Sequence, residues 1–326
     1  MKVLLTPPPE FRRQYYGERA LNGLKALAEV KLHDGSEEPL DARSLVAAAR
    51  EVDIIVADRM TEGRGEIFPQ LPKLRAFVRC AVDIRNIDVA AASAEGVLVT
   101  RASPGFVAAV AELALGFMVD LSRGTSRTTA DYHAGRKPQA RMGRQLSGSH
   151  IGIIGYGAIG RYLAGLAKAL GMEVLIADPF VSISEPGIKH LSLEEVLSRA
   201  DYVVCLAVAN EQTENLISQA ALARMQKHAF FINLSRGNLV DEAALAAALR
   251  ENLIAGAAMD VGRAPDQMPT PELAKLPNVI ATPHIGGLTP QAIEHQAMET
   301  VRQVAQIIKG EAPIGAVNAE HWSRRG

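Results

Sequence analysis

The sequence predicts an α/β protein of two doubly wound parallel sheets, and three observations predict it. Short apolar runs alternate with helical patterns almost throughout, as βαβ units require. Near the middle of the chain a glycine-rich turn joins one of those runs to a helix. The length of 326 residues suits about two domains of roughly 100–200 residues each, enough to bury substantial cores.

Composition narrows the function classes. Lys and Arg number 35 against 36 Asp and Glu, a net charge of -1 that argues against a nucleic-acid partner. A hydrophobic share of 48% with 22% charged residues is globular and too apolar for a disordered chain. Cys80 and Cys205 are far apart in apolar stretches, so both are expected as buried free thiols in a reducing cytoplasm. The apolar run at the N-terminus stops at Leu5 before a proline cluster, which does not fit a secretory leader. The longest apolar stretch, 106–119, is interrupted by Glu112 and falls short of the ~20 residues that span a bilayer. It reads as a buried helix, so no membrane partner and a cytoplasmic location are expected.

In order along the chain, the first hundred residues suggest strands near 3–5, 53–57, 76–78 and 97–100, with helices around 19–28 and 42–49. From 104 to about 136 the pattern is one long helix followed by a polar connection. A second series of strands follows at 151–154, 174–177, 202–208, 230–233, 254–259 and 279–281. Among the helices between them, Ser192 with Glu195 three residues on forms a capping-box pattern, and Asp241 with Glu242 places acids at a helix start. The last helix, 289–308, has no strand after it to extend the second sheet; the sequence alone leaves open whether it returns to the first domain. There is no internal repeat and no low-complexity segment.

The clearest chemistry lies in Gly155, Gly157 and Gly160, which follow a buried strand and open a helix with Leu163, Leu166, Ala167 and Leu170 on its apolar side. One glycine makes the tight turn, one lets the backbone approach a pyrophosphate, and one lets helix and strand pack closely. The helix start offers free N–H groups and its positive dipole end to phosphates. The next strand ends at Ala177 and Asp178, 18 residues beyond Gly160, where a carboxylate is expected to accept hydrogen bonds from an adenosine ribose. Asp178 would repel a 2′-phosphate, so NAD(H) is expected rather than NADP(H).

Ligands of open α/β sheets bind beyond the carboxyl ends of the strands. Three such ends carry reactive groups: Arg236 after the run at 230–233, Asp260 after 254–259, and His284 after 279–281. An arginine clamps a carboxylate through paired hydrogen bonds, and a histidine passes protons near neutrality. Singly, an arginine before glycine fits a surface turn, a histidine after proline fits a cap, and Asp260 fits a turn. Placed together at successive strand ends of a dinucleotide domain, they describe reversible oxidation of a hydroxy acid to an oxo acid. No metal-ligand cluster, nucleophile elbow or phosphate-binding P-loop is found in the sequence.

These stretches, with 225–245 and 276–287 the most specific after the glycine turn, resemble the D-isomer-specific 2-hydroxyacid dehydrogenases over nearly the whole chain. The resemblance implies a Rossmann NAD-binding domain at 102–288, including a linking and dimerising helix near 104–123. It implies a smaller flavodoxin-like α/β substrate domain made of 1–101 and 289–326, a cleft that closes on substrate, and a homodimer. By the resemblance, Arg236 binds the substrate carboxylate and polarises its carbonyl, His284 is the general acid/base at the C2 oxygen, and Asp260 holds the nicotinamide amide. Cofactor contacts are implied for Gly155, Gly157, Ala158, Ile159, Gly160 and Asp178. They are implied also for Ala207, Val208, Leu234, Ser235 and Arg236, and for Asp260, His284 and Gly286. The substrate is a small 2-oxo or 2-hydroxy acid, with glyoxylate and hydroxypyruvate as first expectations by family analogy.

Three departures accompany the resemblance. The family's glutamate partner of the histidine is replaced by Ala264 in a run that is one residue short; Asp266 would substitute from the displaced loop, or His284 works with a weaker partner. The family's Gly-x-Gly substrate loop reads Ala81, Val82 and Asp83 here. Asp83 disfavours an anionic substrate unless it pairs with Arg79, Arg85 or a polar substrate group, or points to solvent. Val208 stands where the family commonly has proline. Arg59 resembles an arginine that some members aim at the far end of the substrate; a surface arginine fits equally well. The rival reading is an NAD(H)-sensing binding protein of the same fold with weak or no turnover, which Ala264 favours and the pairing of Arg236 with His284 disfavours.

Overall fold

The computed structural model describes residues 1–36 and 38–325, with the backbone alone at Asp266. The chain divides into two compact units, Met1–Phe106 with Thr289–Gly326, and Val107–Leu288. The first contains strands β1 (Lys2–Leu5), β2 (Glu29–Leu32), β3 (Ile54–Ala57), β4 (Ala76–Arg79) and β5 (Leu98–Arg101), all parallel in the order β2-β1-β3-β4-β5. That is the flavodoxin-like order. Successive residues of a strand face opposite sides, so each strand here feeds two cores. Val3, Leu5, Val56 and Val78 pack under Ala297, Val301 and Val304 of the helix Pro290–Ile308. Leu4, Ile55, Phe77 and Val99 pack with Leu45 and Phe68 on the other side. Thus the last helix does return to the first unit, lying against the helix Glu18–Leu27 at Gly23, where a Cβ would sit 3.1 Å from Val301 Cγ1.

The division falls at Phe106 rather than at 101. Ala102 to Phe106 belong with the first unit because Ser103 donates its N–H (2.8 Å) and hydroxyl (2.6 Å) to Glu299 Oε2 of the last helix. Gly105 adds to this, since a Cβ there would lie 2.6 Å from the His295 side chain.

The second unit holds β6 (His150–Ile154), β7 (Glu173–Ala177), β8 (Ile188–His190), β9 (Tyr202–Cys205), β10 (Phe230–Asn233), β11 (Gly256–Met259) and β12 (Val279–Ala281). All are parallel, in the order β12-β11-β10-β9-β6-β7-β8, the Rossmann arrangement with one further strand. The expected strand 202–208 ends at Cys205, because the chain turns out of the sheet to pass the glycine turn, leaving Val208 77% exposed. The run 254–259 pairs only from Gly256. The helix expected near 104–123 is Val107–Arg123, and the polar connection expected after it contains a further helix, Thr125–His133, entered at Gly124 with a left-handed φ of +65°. The first is buried on one side through Ala111, Ala114 and Met118 but leaves Glu112 and Val119 exposed. Among the described residues no helix is long and apolar enough to cross a membrane.

Strands β2 and β8 were not expected. Both are sheet edges with exposed polar residues, where burial no longer enforces an apolar pattern. The capping box at Ser192 and Glu195 is formed in both directions, and Asp241 caps the helix Glu242–Arg250 through Ala244 N. Cys205 is buried and its thiol is pushed up to about 12; Cys80 is only half-buried, and both are free.

At the amino edge of this sheet, Asp201 accepts from His150 N (2.8 Å) and from His228 Nε2 (2.9 Å). Burial raises its pKa, but these hydrogen bonds prevail and hold it below the usual carboxylate range. A lowered carboxyl adds stability that is complete above the ordinary aspartate value near pH ~4 and is lost as pH falls through the lower folded-state value. Asp201→Asn is therefore expected to lower the unfolding midpoint at about pH 7, with the gap to the parent closing near pH ~3. A gap unchanged in acid would exclude the charge as its cause.

Candidate active site

The glycine turn begins where β6 ends. Gly155 has φ +98°, and a Cβ on it would lie 2.7 Å from the backbone of Leu206 and Ala207, so the turn and the end of β9 touch. A Cβ on Gly160 would lie 2.3 Å from Gly155 O, which fixes close packing of helix on strand. Around Gly157, by contrast, nothing lies within 4 Å. Gly157 is the N-cap of the helix Ala158–Ala169 and has no side chain to satisfy the first N–H groups. An open, uncapped helix start over a left-handed glycine turn fits a pyrophosphate, with Ala158 and Ile159 in its first turn.

Asp178, one residue past β7, accepts from Tyr156 N (2.7 Å) and Phe180 N (2.9 Å). Its carboxylate is thereby held at the glycine turn, as a ribose acceptor requires. Tyr156 is buried beneath the Arg161 guanidinium, 4.5 Å from the ring centre, and its hydroxyl donates to Glu185. Arg161, a cation one residue past Gly160, was not singled out from sequence; its position in the helix's first turns was the available signal.

Beyond β9, Ala207 O accepts from Ser235 Oγ, and Val208 O from Thr213 Oγ1 at 2.8 Å. Beyond β10, Asn233 is wholly buried and braces the next turn, accepting from Ser235 N (3.1 Å) and donating to Arg236 O (3.0 Å). Leu234 is buried, and Arg236 donates from Nη1 to Ser235 O. Gly237 has a tertiary reason: a Cβ there would lie 2.1 Å from Gly262 C, in the loop after β11. The Arg-Gly pair and the Asp-Val-Gly run after β11 are thus packed against each other.

Asp260, 2% exposed, organises the loop after β12. Its Oδ1 accepts from Thr282 Oγ1 (2.6 Å) and Ile285 N (2.8 Å), its Oδ2 from Gly286 N (2.8 Å), and its carbonyl from His284 N (3.0 Å). His284 is held at φ +55°, a left-handed conformation that costs a residue with a Cβ about 1–2 kcal/mol. Such strain persists where the surroundings over-determine it, typically at functional sites. Arg236, Asp260 and His284 therefore follow three neighbouring strands, β10, β11 and β12.

The shortened loop after Asp260 is held by Arg263, which sequence reasoning passed over. Its Nη2 donates to Glu214 (2.8 Å), Asn215 (2.6 Å) and Asn238 O (2.9 Å), and its backbone N–H to Glu242. Ala264 N donates to Met268 O across the turn. The Asp266 side chain lies outside the described residues.

In the first unit, Ala81, Val82 and Asp83 follow β4 and are half-buried, and Arg59 follows β3 and is exposed. Of the partners open to Asp83, Arg85 takes it: Nε reaches both carboxylate oxygens at 3.0 Å and Nη2 reaches Oδ2 at 2.5 Å. The charge at this loop is thus offset within the loop.

Residues 115–286 match the family model for the D-isomer specific 2-hydroxyacid dehydrogenase, NAD binding domain. The chain is 36% identical to an (S)-sulfolactate dehydrogenase of Chromohalobacter salexigens, over 82% of this chain and 88% of that protein. It is 31% identical to a D-3-phosphoglycerate dehydrogenase of Methanocaldococcus jannaschii, over 98% of this chain but 59% of that protein. The chain spans little more than half the length of the D-3-phosphoglycerate dehydrogenases it matches. Among solved structures, the TT0316 protein from Thermus thermophilus superimposes with a TM-score of 0.87 at 28% identity, covering 97% of this chain and 100% of that one.

Proposed function

Because the chain belongs to the D-isomer specific 2-hydroxyacid dehydrogenase family, we propose that it moves a hydride between NAD(H) and C2 of a small 2-hydroxy or 2-oxo acid. The observation that carries this reading is the Asp260 clamp, which keeps His284 strained at the end of β12, two strands from the one that Arg236 follows. A loop that only sensed a cofactor would need no such strain. NAD(H), when bound, supplies or takes the hydride. Arg236 pairs with the substrate carboxylate and draws electron density from the C2 carbonyl. His284 gives its proton to the C2 oxygen in reduction and takes it back in oxidation. One 2-oxo acid, one NADH and one proton thus give one 2-hydroxy acid and NAD+.

The loop carrying Ala81, Val82 and Asp83, with Arg59, is proposed to recognise the rest of the substrate, for which glyoxylate and hydroxypyruvate are the first candidates. Asp266 is proposed to assist His284 in place of the glutamate. Cytoplasmic residence is proposed from the two free thiols. A homodimer built on the helix Val107–Arg123 is proposed from the exposed Val119 on it; a monomer by sedimentation would exclude it.

Initial rates of NADH and NADPH oxidation with a panel of 2-oxo acids test the reading. NADH-linked turnover on at least one acid is expected. Silence across the panel from folded protein that binds NADH would favour the sensor reading, for which Ala264 is the supporting feature. Asp178→Asn is expected to raise the NADPH-to-NADH preference by about tenfold, equivalent to some 1.4 kcal/mol of repulsion removed. A parent that already prefers NADPH would refute the part given to Asp178.

A further inference from the structure

Arg79, the last residue of β4, is wholly buried, and burial lowers its guanidinium pKa to about 10 against the opposing pull of Asp58 and Asp83. Among the described residues only Nη2 makes hydrogen bonds: it donates to Thr61 O (2.9 Å) in the loop after β3 and to Asn86 Oδ1 (2.7 Å) in the loop after β4, while the guanidinium carbon lies 5.8 Å from the centre of the Phe77 ring. Nε and Nη1 have none among the described residues, and neither has Asp58 Oδ2. Burying a charge with so few hydrogen bonds is costly, and an apolar side chain would pack under a strand end with less penalty.

What the guanidinium achieves is a tie between two loops. Asn86 passes the link on, donating from Nδ2 to Arg59 O at 3.1 Å. Asp58 Oδ1 gathers the other loop, accepting from Met60 N (3.0 Å), Thr61 N (2.8 Å) and Thr61 Oγ1 (2.9 Å). Thr61 Oγ1 also meets Thr6 Oγ1, just past β1, at 2.8 Å. The bond from Arg79 to Asn86, seven residues on, closes the base of the segment that carries Ala81, Val82 and Asp83. Within that segment Arg85 donates its backbone N–H to Asp83 Oδ1 at 3.0 Å, so the bond from Arg79 adds a tie from outside to one the segment makes itself.

We propose that Arg79 is a positioning residue which, through Asn86, fixes the 80–86 segment in its substrate-binding shape without itself touching substrate. Its part in substrate binding rests on the proposed dehydrogenase activity; the tie itself does not. Two variants test it: Asn86→Ala, which leaves Arg79 in place, and Arg79→Lys, which keeps the charge but loses the planar fork. Hydrogen exchange is read over 80–86 and over β6 and β7, together with NADH affinity, KM and kcat. Both variants are expected to exchange amides of 80–86 about tenfold faster, with β6 and β7 unchanged. KM for the best 2-oxo acid is expected to rise about tenfold, with kcat within about threefold and NADH affinity unaltered.

Unchanged exchange at 80–86 would overturn the tie, whatever the activity. Faster exchange with an unmoved KM would overturn the positioning role. A fall in kcat equal to the fall in kcat/KM would place Arg79 on the reacting atoms and overturn it as well. A parent inactive on every acid would instead defeat the dehydrogenase reading, and the exchange result would still decide the tie.

Discussion

His284→Ala and His284→Gly are both expected to lose turnover by about 10²–10⁴-fold, the usual contribution of a positioned acid–base group. Their stabilities are expected to differ in a direction that only the backbone explains. Both variants lack the imidazole, so whatever it contacts is lost equally. At φ +55° alanine still carries a Cβ and glycine does not, so the glycine variant should be more stable by about 1 kcal/mol. The backbone has little freedom to relax, because Asp260 accepts from Thr282 Oγ1 before the strained residue, from His284 N itself, and from Ile285 N and Gly286 N after it. Thermal midpoints and kcat of the two variants check both halves. Equal midpoints would show that the loop relaxes once the imidazole is gone, and that the strain does not outlast it.

Gly157→Ala and Gly160→Ala should separate binding from folding. Gly160 has Gly155 O 2.3 Å from where its Cβ would stand, so alanine there must push helix from strand, at a cost of about 1–3 kcal/mol. Gly157 meets nothing within 4 Å, and its backbone is extended at φ -74°, so alanine there should leave the melting midpoint unchanged. The same methyl group occupies the open space through which a pyrophosphate would approach the helix start. NADH affinity is therefore expected to fall by about tenfold or more in Gly157→Ala, at least 1.4 kcal/mol of binding. Fluorescence titration with NADH and a thermal melt measure the two effects. A Gly157→Ala protein that binds NADH as the parent does would place the phosphates elsewhere.

The features legible in the sequence are those whose physical cause is local. Gly155 and Gly160 could be read because a left-handed turn and a close helix crossing each exclude a side chain, and Asp178 because strand length fixes where the next acid falls. Core strands such as β3 and β10 were legible because both faces are buried. The edges β2 and β8 were not, since a polar Glu29–Leu32 strand carries no such pattern. The helix Thr125–His133 was not legible within the polar connection expected there, because it buries none of its residues and so carries no apolar face.

The candidate site divides the same way. That Arg236, Asp260 and His284 follow strand ends was legible, because each comes soon after a short apolar run. What Asp260 does for the histidine loop was not legible, because it depends on β11 and β12 lying side by side. The contact of Gly237 with Gly262, the Arg263 clamp and the tie from Arg79 to Asn86 are likewise tertiary, joining residues that no spacing rule connects.

An isotope follows the proposed chemistry most directly. NADH with both hydrogens at nicotinamide C4 replaced by deuterium is incubated with the protein and each 2-oxo acid, and the 2-hydroxy acid product is examined by mass spectrometry. The parent is expected to yield product with deuterium at C2, and Arg236→Ala to yield almost none. Folded, NADH-binding parent protein that gives no 2-hydroxy acid, or gives it without deuterium at C2, would contradict direct hydride transfer at this site.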